Sequence, residues 1–119
     1  MNLMELMIAL PNQFKVFHWQ TKSHAEHGAF GDVYGSLEAL ADNFMEVYMG
    51  KYERPSFSGK LSIELSQYSE SQEKIINAYI KVLSEDMPGS LKENDTDLLN
   101  IRDEMLAELN KLKYLLTLK

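Results

Sequence analysis

The stretch SHAEHGAFGDVYGSLEALADNFMEVYMG, Ser23 to Gly50, carries the clearest helical pattern of the chain. Within it Phe30, Val33, Tyr34, Leu37, Leu40, Ala41, Phe44, Val47 and Tyr48 recur every three or four residues, the period of one buried helix face and not of a strand. Ser23 followed by Glu26 reads as a capping box, in which the serine side chain accepts from the first turn and the glutamate reaches back to the cap. Gly50 is a natural terminator. A long helix with one apolar face needs other helices to cover it.

The rest of the chain supplies them on both sides of this stretch. Upstream, Leu3, Leu6, Met7, Leu10, Phe14 and Phe17 share the helical spacing and predict a first helix to about Thr21. Pro11 inside it predicts a kink, or a short first segment joined to a second. Downstream, Lys51 to about Tyr68 carries Pro55, Gly59 and four serines, so it is a connection, with Leu61 to Leu65 forming a short helix within it. A third helix follows, with Ile75, Ile76, Tyr79, Ile80 and Leu83 on one side and Met87-Pro88-Gly89 closing it. The fourth runs from about Asp95 on a stripe of Leu98, Ile101, Met105, Leu109, Leu112 and Leu116, acidic at its start and lysine-rich at its end as the helix dipole favours. Two short corners and one long link between the second and third helices predict an all-α, antiparallel four-helix bundle of the ferritin-like kind.

Composition narrows the function. At 119 residues and 45% hydrophobic content the chain has material for a single domain, residues 1–119, with one core. No apolar run approaches the roughly 20 residues of a membrane span, and the start has no basic leader, so a cytoplasmic protein is expected, in the host cytoplasm if the source is viral. The absence of cysteine removes thiolate metal sites and disulfide chemistry, leaving His, Asp and Glu to hold any metal. A formal charge of -6 with scattered basic residues argues against binding DNA.

Two features depart from a plain bundle. His18, His24 and His27 fall in one ten-residue stretch around the corner between the first two helices, where His18 and His27 can approach in space. Histidines are also at home near helix ends, so the cluster alone does not make a site. On the second helix, Gly28, Gly31 and Gly35 form a narrow stripe continued by Asp42 and Glu46, opposite the apolar face. An exposed helical glycine costs about 1 kcal/mol against alanine, so the stripe implies a surface packed closely by a partner. Asp42 and Glu46, one turn apart, can share a cation, although such pairs are common on solvated helices. His27 and Asp42 lie about 22 Å apart along the helix, too far to hold one ion within a chain. If the second helix packs antiparallel against its own copy across a two-fold axis, His27 of one subunit approaches Asp42 and Glu46 of the other, giving two equivalent sites.

The segment His18-Trp19-Gln20-Thr21-Lys22 resembles the His-Trp-Asn-x-(Lys/Arg) signature that ends the first helix of the Dps-type mini-ferritins. That resemblance, strongest from Phe14 to Tyr52, implies an inter-subunit iron site built from His18 and His27 of one chain and Asp42 and Glu46 of its two-fold mate, with Trp19 beside it. It further implies oxidation of Fe(II) at a di-iron or mono-iron centre, for iron sequestration and protection against oxidants, in a dimer that can close into a dodecameric shell. The chain is also similar to short phage-encoded proteins of this fold that carry a His-Trp-Gln-Thr-Lys segment and a Gly-Lys-Tyr ending on the second helix, for which no activity is implied. The family pattern places a further carboxylate where this chain has Gly31; Asp32, about 100° around the helix, is the candidate substitute. The lysine-rich N-terminal tail with which some members grip DNA is not expected here, and no histidine lies beyond His27 to build a core Glu-x-x-His site. Tyr34 reads as core. The alternative is a non-catalytic bundle that keeps the fold and the dimer face and acts by binding a protein.

Overall fold

The computed structural model describes residues 2–69 and 71–118. These form four α-helices and, among the described residues, no strand: α1 (Leu3–Gln20), α2 (His24–Lys51), α3 (Gln72–Lys81) and α4 (Thr96–Leu115). The expected all-helical, four-helix bundle is what forms. No helix is long and apolar enough to cross a membrane among the described residues.

Local chemistry sets the helix ends, in places differently from expectation. Asn2 caps α1, its side chain accepting from the amides of Met4 and Glu5. The helix then runs through Pro11 as one element instead of two. Proline has no N–H for the Met7 carbonyl, and beside that gap Asn12 donates its side-chain amide to the Ile8 carbonyl at 2.6 Å. Only half of the capping box at Ser23 is made. Ser23 Oγ accepts from the Glu26 amide at 3.2 Å, but the Ser23 amide donates to Thr21 Oγ1, also at 3.2 Å, because the Glu26 carboxylate is engaged elsewhere. Nor does Gly50 end α2. The helix continues through Lys51 and stops at an extended Tyr52, whose amide still reaches the Tyr48 carbonyl at 2.8 Å.

From Tyr52 to Ser71 the described chain is irregular, including Leu61 to Leu65, where a short helix was expected. The reason lies on α1. Gln13, buried in the middle of that helix, pairs with the backbone of Ser66 like a neighbouring strand: its Nε2 donates to the Ser66 carbonyl at 2.8 Å and its Oε1 accepts from the Ser66 amide at 2.6 Å. Gln20 Oε1 takes the Tyr68 amide at 2.7 Å. Amides claimed by side chains of α1 are lost to a local helix.

Side-chain bonds give the topology. Gln72 donates to Glu26, so α3 starts at the end of the bundle where α1 turns into α2. Lys51 meets Asp95 and Asp97, so α4 starts at the opposite end. Asn77 meets Lys113 and the Leu83 carbonyl meets Arg102, so α3 and α4 are antiparallel. It follows that α1 and α2 are antiparallel, that α2 and α3 are parallel, and that the connection crosses the length of the bundle. A π-helical turn (Val82–Asp86) and a 3-10 turn (Met87–Ser90) extend α3.

The core runs down the middle on Phe14, Phe17, Phe30 and Phe44 with Leu10, Leu37, Ile76, Leu83, Leu98, Met105 and Leu109, all fully buried. Phe14 meets Phe17 edge-on with ring centroids 6.0 Å apart, and Phe17 lies 5.5 Å from Phe30. Burying each such side chain is worth about 1.5–3 kcal/mol, so the aromatic end near the α1–α2 corner is a firm platform. Met87, expected only as part of a terminator, is fully buried too.

Candidate functional site

Two histidines meet on that platform. His18 lies in the last turn of α1 and His27 in the first turn of α2, and the Ser23-capped corner folds them face to face, ring centroids 3.8 Å apart and planes 16° from parallel. Each ring bonds to the other's backbone: His18 Nδ1 lies 2.7 Å from the His27 carbonyl oxygen and His27 Nδ1 lies 2.8 Å from the His18 carbonyl oxygen. A carbonyl can only accept, so both Nδ1 atoms carry protons. In the neutral rings the lone pairs are therefore on Nε2, the arrangement that a backbone acceptor imposes on a metal-binding imidazole. The His18 carbonyl, in the last turn of α1, is one of the acceptors that a helix end leaves without an internal partner, and His27 supplies its donor.

Gly31 makes room for the pair. A Cβ there would sit 2.9 Å from His18 Cε1 and 3.0 Å from His18 Nδ1, so the imidazole lies directly over the bare backbone. The position at which the family resemblance calls for a carboxylate is thus occupied by the His18 ring. Gly28 and Gly35 have nothing within 4 Å of the corresponding point, so only one glycine of the stripe is accounted for inside the chain. Beyond His18 the surface continues as Tyr34, 6.2 Å away between ring centroids, and Lys15, whose ammonium lies 5.4 Å from the Tyr34 centroid and 5.2 Å from that of Trp19. Tyr34 is half-buried between core and surface, and Trp19 is 68% exposed.

Asp42 and Glu46 are exposed further along α2. Asp42 borders a groove between α1 and α2 with Met4, Met7, Ile8, Pro11 and Met45. Asp32 lies on the flank of α2 that faces α4, beside Glu108, Lys111 and Leu115, and His24 borders a second groove on that side with Leu115 and Leu118. The fold brings His18 and His27 together and leaves Asp32, Asp42, Glu46 and His24 apart from them; among the described residues no three His, Asp or Glu converge in one chain.

Two polar clusters that the sequence reading missed hold this frame. Glu26, adjacent to His27, accepts from Thr21 Oγ1 at 2.8 Å, Tyr68 OH at 2.7 Å and Gln72 Nε2 at 3.0 Å, tying α1, the crossing connection and α3 to the first turn of α2. The carboxylate raises the Tyr68 phenol above its usual range. At the other end Asp95, 2% exposed, takes the Lys51 ammonium at 2.7 Å, Tyr52 OH at 2.7 Å and the Lys92 amide at 2.8 Å. The bonds from Lys51 and then Tyr52 hold its pKa at about 2, and the same contacts raise those of Lys51 and Tyr52. The His-Trp-Gln-Thr-Lys and Gly-Lys-Tyr segments contain Thr21, Lys51 and Tyr52 among these donors, and they are the signal that the sequence offers.

Comparison with curated proteins and with solved structures finds no match to the chain. One family model does match, over residues 18–116, which starts at His18 and takes in the corner, the crossing connection and all of α2, α3 and α4. The chain belongs to that family, described as a family of unknown function (DUF5856).

Proposed function

We propose that the chain binds and oxidises Fe(II) at a site shared between two copies, in the manner of a Dps-type mini-ferritin. The observation that carries the reading is the reciprocal pairing of His18 and His27, which fixes both protons on Nδ1 and leaves both Nε2 atoms as donors. The parallel α2 and α3, joined by a connection that crosses the bundle, fit a ferritin-like topology.

The geometry favours two ions over one. Imidazole lone pairs lie in the ring plane, and planes 16° apart with centroids 3.8 Å apart do not converge on a common point at bonding distance. Each ring therefore serves its own ion, and the remaining ligands are carboxylates. Because His18 fills the place over Gly31, those carboxylates are Asp42 and Glu46 of a second copy, with α2 packed antiparallel on its mate; Asp32, turned toward α4, is the weaker substitute. Neutral nitrogen with anionic oxygen suits Fe(II) with open positions, and the bound iron would supply the redox chemistry with dioxygen or peroxide as oxidant.

Anaerobic addition of Fe(II) followed by air tests the reading. The wild type develops ferric absorbance; His18→Ala, His27→Ala and Asp42→Ala do not. Light scattering separates a dimer, which can only bind and oxidise, from a closed shell, which can store. Gly31 is also the observation behind the second reading, a bundle that has given up a ligand and acts by binding a protein. Equal absorbance in wild type and variants would favour it.

A further inference from the structure

We infer that Trp19 of one copy seats in the methionine-lined groove between α1 and α2 of a second copy, while Lys15 pairs with the mate's Glu38. This rests on the antiparallel two-fold of the reading above and says what covers the rest of that face. Three of the exposed large hydrophobic side chains, Ile8 at 37%, Trp19 at 68% and Met49 at 37%, belong to α1 and α2. On α1, Met4, Ile8, Lys15 and Trp19 recur at helical spacing on one outward stripe. Its lower half walls the groove, together with Met7 and Met45, and Glu38 and Asp42 form the acidic rim. Methionines adapt to an irregular guest, and an aromatic ring is the guest that such pockets hold best.

Register argues for a second copy as that guest. An axis that brings His27 opposite Asp42 and Glu46 must cross α2 near Gly35, midway between them. Pairing of His18 with His27 at one end, and of the Met4–Ile8 region with Asp42 and Met45 at the other, puts Asn12 of α1 at the level of Gly35. Reversal of the helix direction about that level sets Trp19 opposite Met4 and Ile8 of the mate, and Lys15 opposite Glu38. One axis satisfies all three pairings. Among the described residues neither Lys15 nor Glu38 has an ion-pair partner in its own chain; the Lys15 ammonium rests on the Trp19 and Tyr34 rings, ready to share its charge with a facing carboxylate.

The metal-free protein tests this, because Trp19 is the single tryptophan and its emission reports its own burial. On dilution through the dissociation range, followed by sedimentation, emission should shift to longer wavelength in step with loss of the dimer. Ile8→Glu and Lys15→Glu should each weaken the dimer about tenfold or more, and Lys15→Glu/Glu38→Lys should restore it. A monomer at all concentrations, a dimer in which acrylamide quenches Trp19 as freely as in the dilute chain, or a charge swap without rescue would overturn the inference. A rescued dimer that is inert to Fe(II) would sink the iron reading alone. An iron-oxidising dimer indifferent to Lys15→Glu would sink this interface alone.

Discussion

His18 and His27 are each other's anchor: the ring of each donates to the backbone carbonyl of the other, at 2.7 and 2.8 Å, with the two imidazoles stacked between. Neither can turn without giving up its bond to the other's backbone, so the two rings fix each other's orientation.

The seat beneath the pair predicts opposite results at neighbouring glycines. Gly31→Ala forces the His18 ring to move by several tenths of an ångström, and His18 is a side-chain end that can swing away, so the stability cost stays at about 1 kcal/mol while the stack is lost. Gly28→Ala meets open space in a helix interior and stabilises the monomer by about 0.4–1 kcal/mol. Urea unfolding gives the energies, and imidazole NMR reads the stack.

At the far end of the bundle the prediction is one of pH. Asp95 is held at about 2 against its ordinary 3.8, a depressed carboxylate, so its contribution is complete above about pH 4 and is lost as pH falls through 2. Asp95→Asn should be less stable at neutral pH and should lack that component of acid sensitivity. Stability measured by denaturant between pH 2 and 6 compares the two.

Gln13→Ala removes both hydrogen bonds that hold Ser66 and leaves two backbone groups without partners at a part-buried position. The expected cost is about 2 kcal/mol, with faster hydrogen exchange at the Ser66 amide while α2 keeps its protection.

Glu26→Gln replaces an acceptor of three hydrogen bonds by a group that must itself donate. The Tyr68 phenol, raised by that carboxylate, should titrate at lower pH in the variant. Ultraviolet titration against Tyr68→Phe isolates the signal, and an unchanged Tyr68 would contradict the role given to Glu26.

The helices were legible because their apolar residues repeat at 3.6-residue spacing, a property of the chain alone. The ends were less so, since Gly50 can end a helix but the Lys51–Asp95 contact carries α2 one residue further. Leu61 to Leu65 reads as a short helix until Gln13, 53 residues before Ser66, is seen to claim the Ser66 backbone. Local pattern cannot show such a partner. In the candidate site, the proximity of His18 and His27 followed from a tight corner, whereas the reason for Gly31 did not. A missing carboxylate looks like a lost ligand in sequence and like a seat for an imidazole in space.

The most direct test of a site divided between two chains mixes two inactive variants. A double variant lacking His18 and His27 and one lacking Asp42 and Glu46 should each fail to oxidise Fe(II). After mixing and subunit exchange, half of the dimers hold one intact site, so about a quarter of the wild-type ferric absorbance should return. No recovery in a mixture shown to have exchanged would contradict the account.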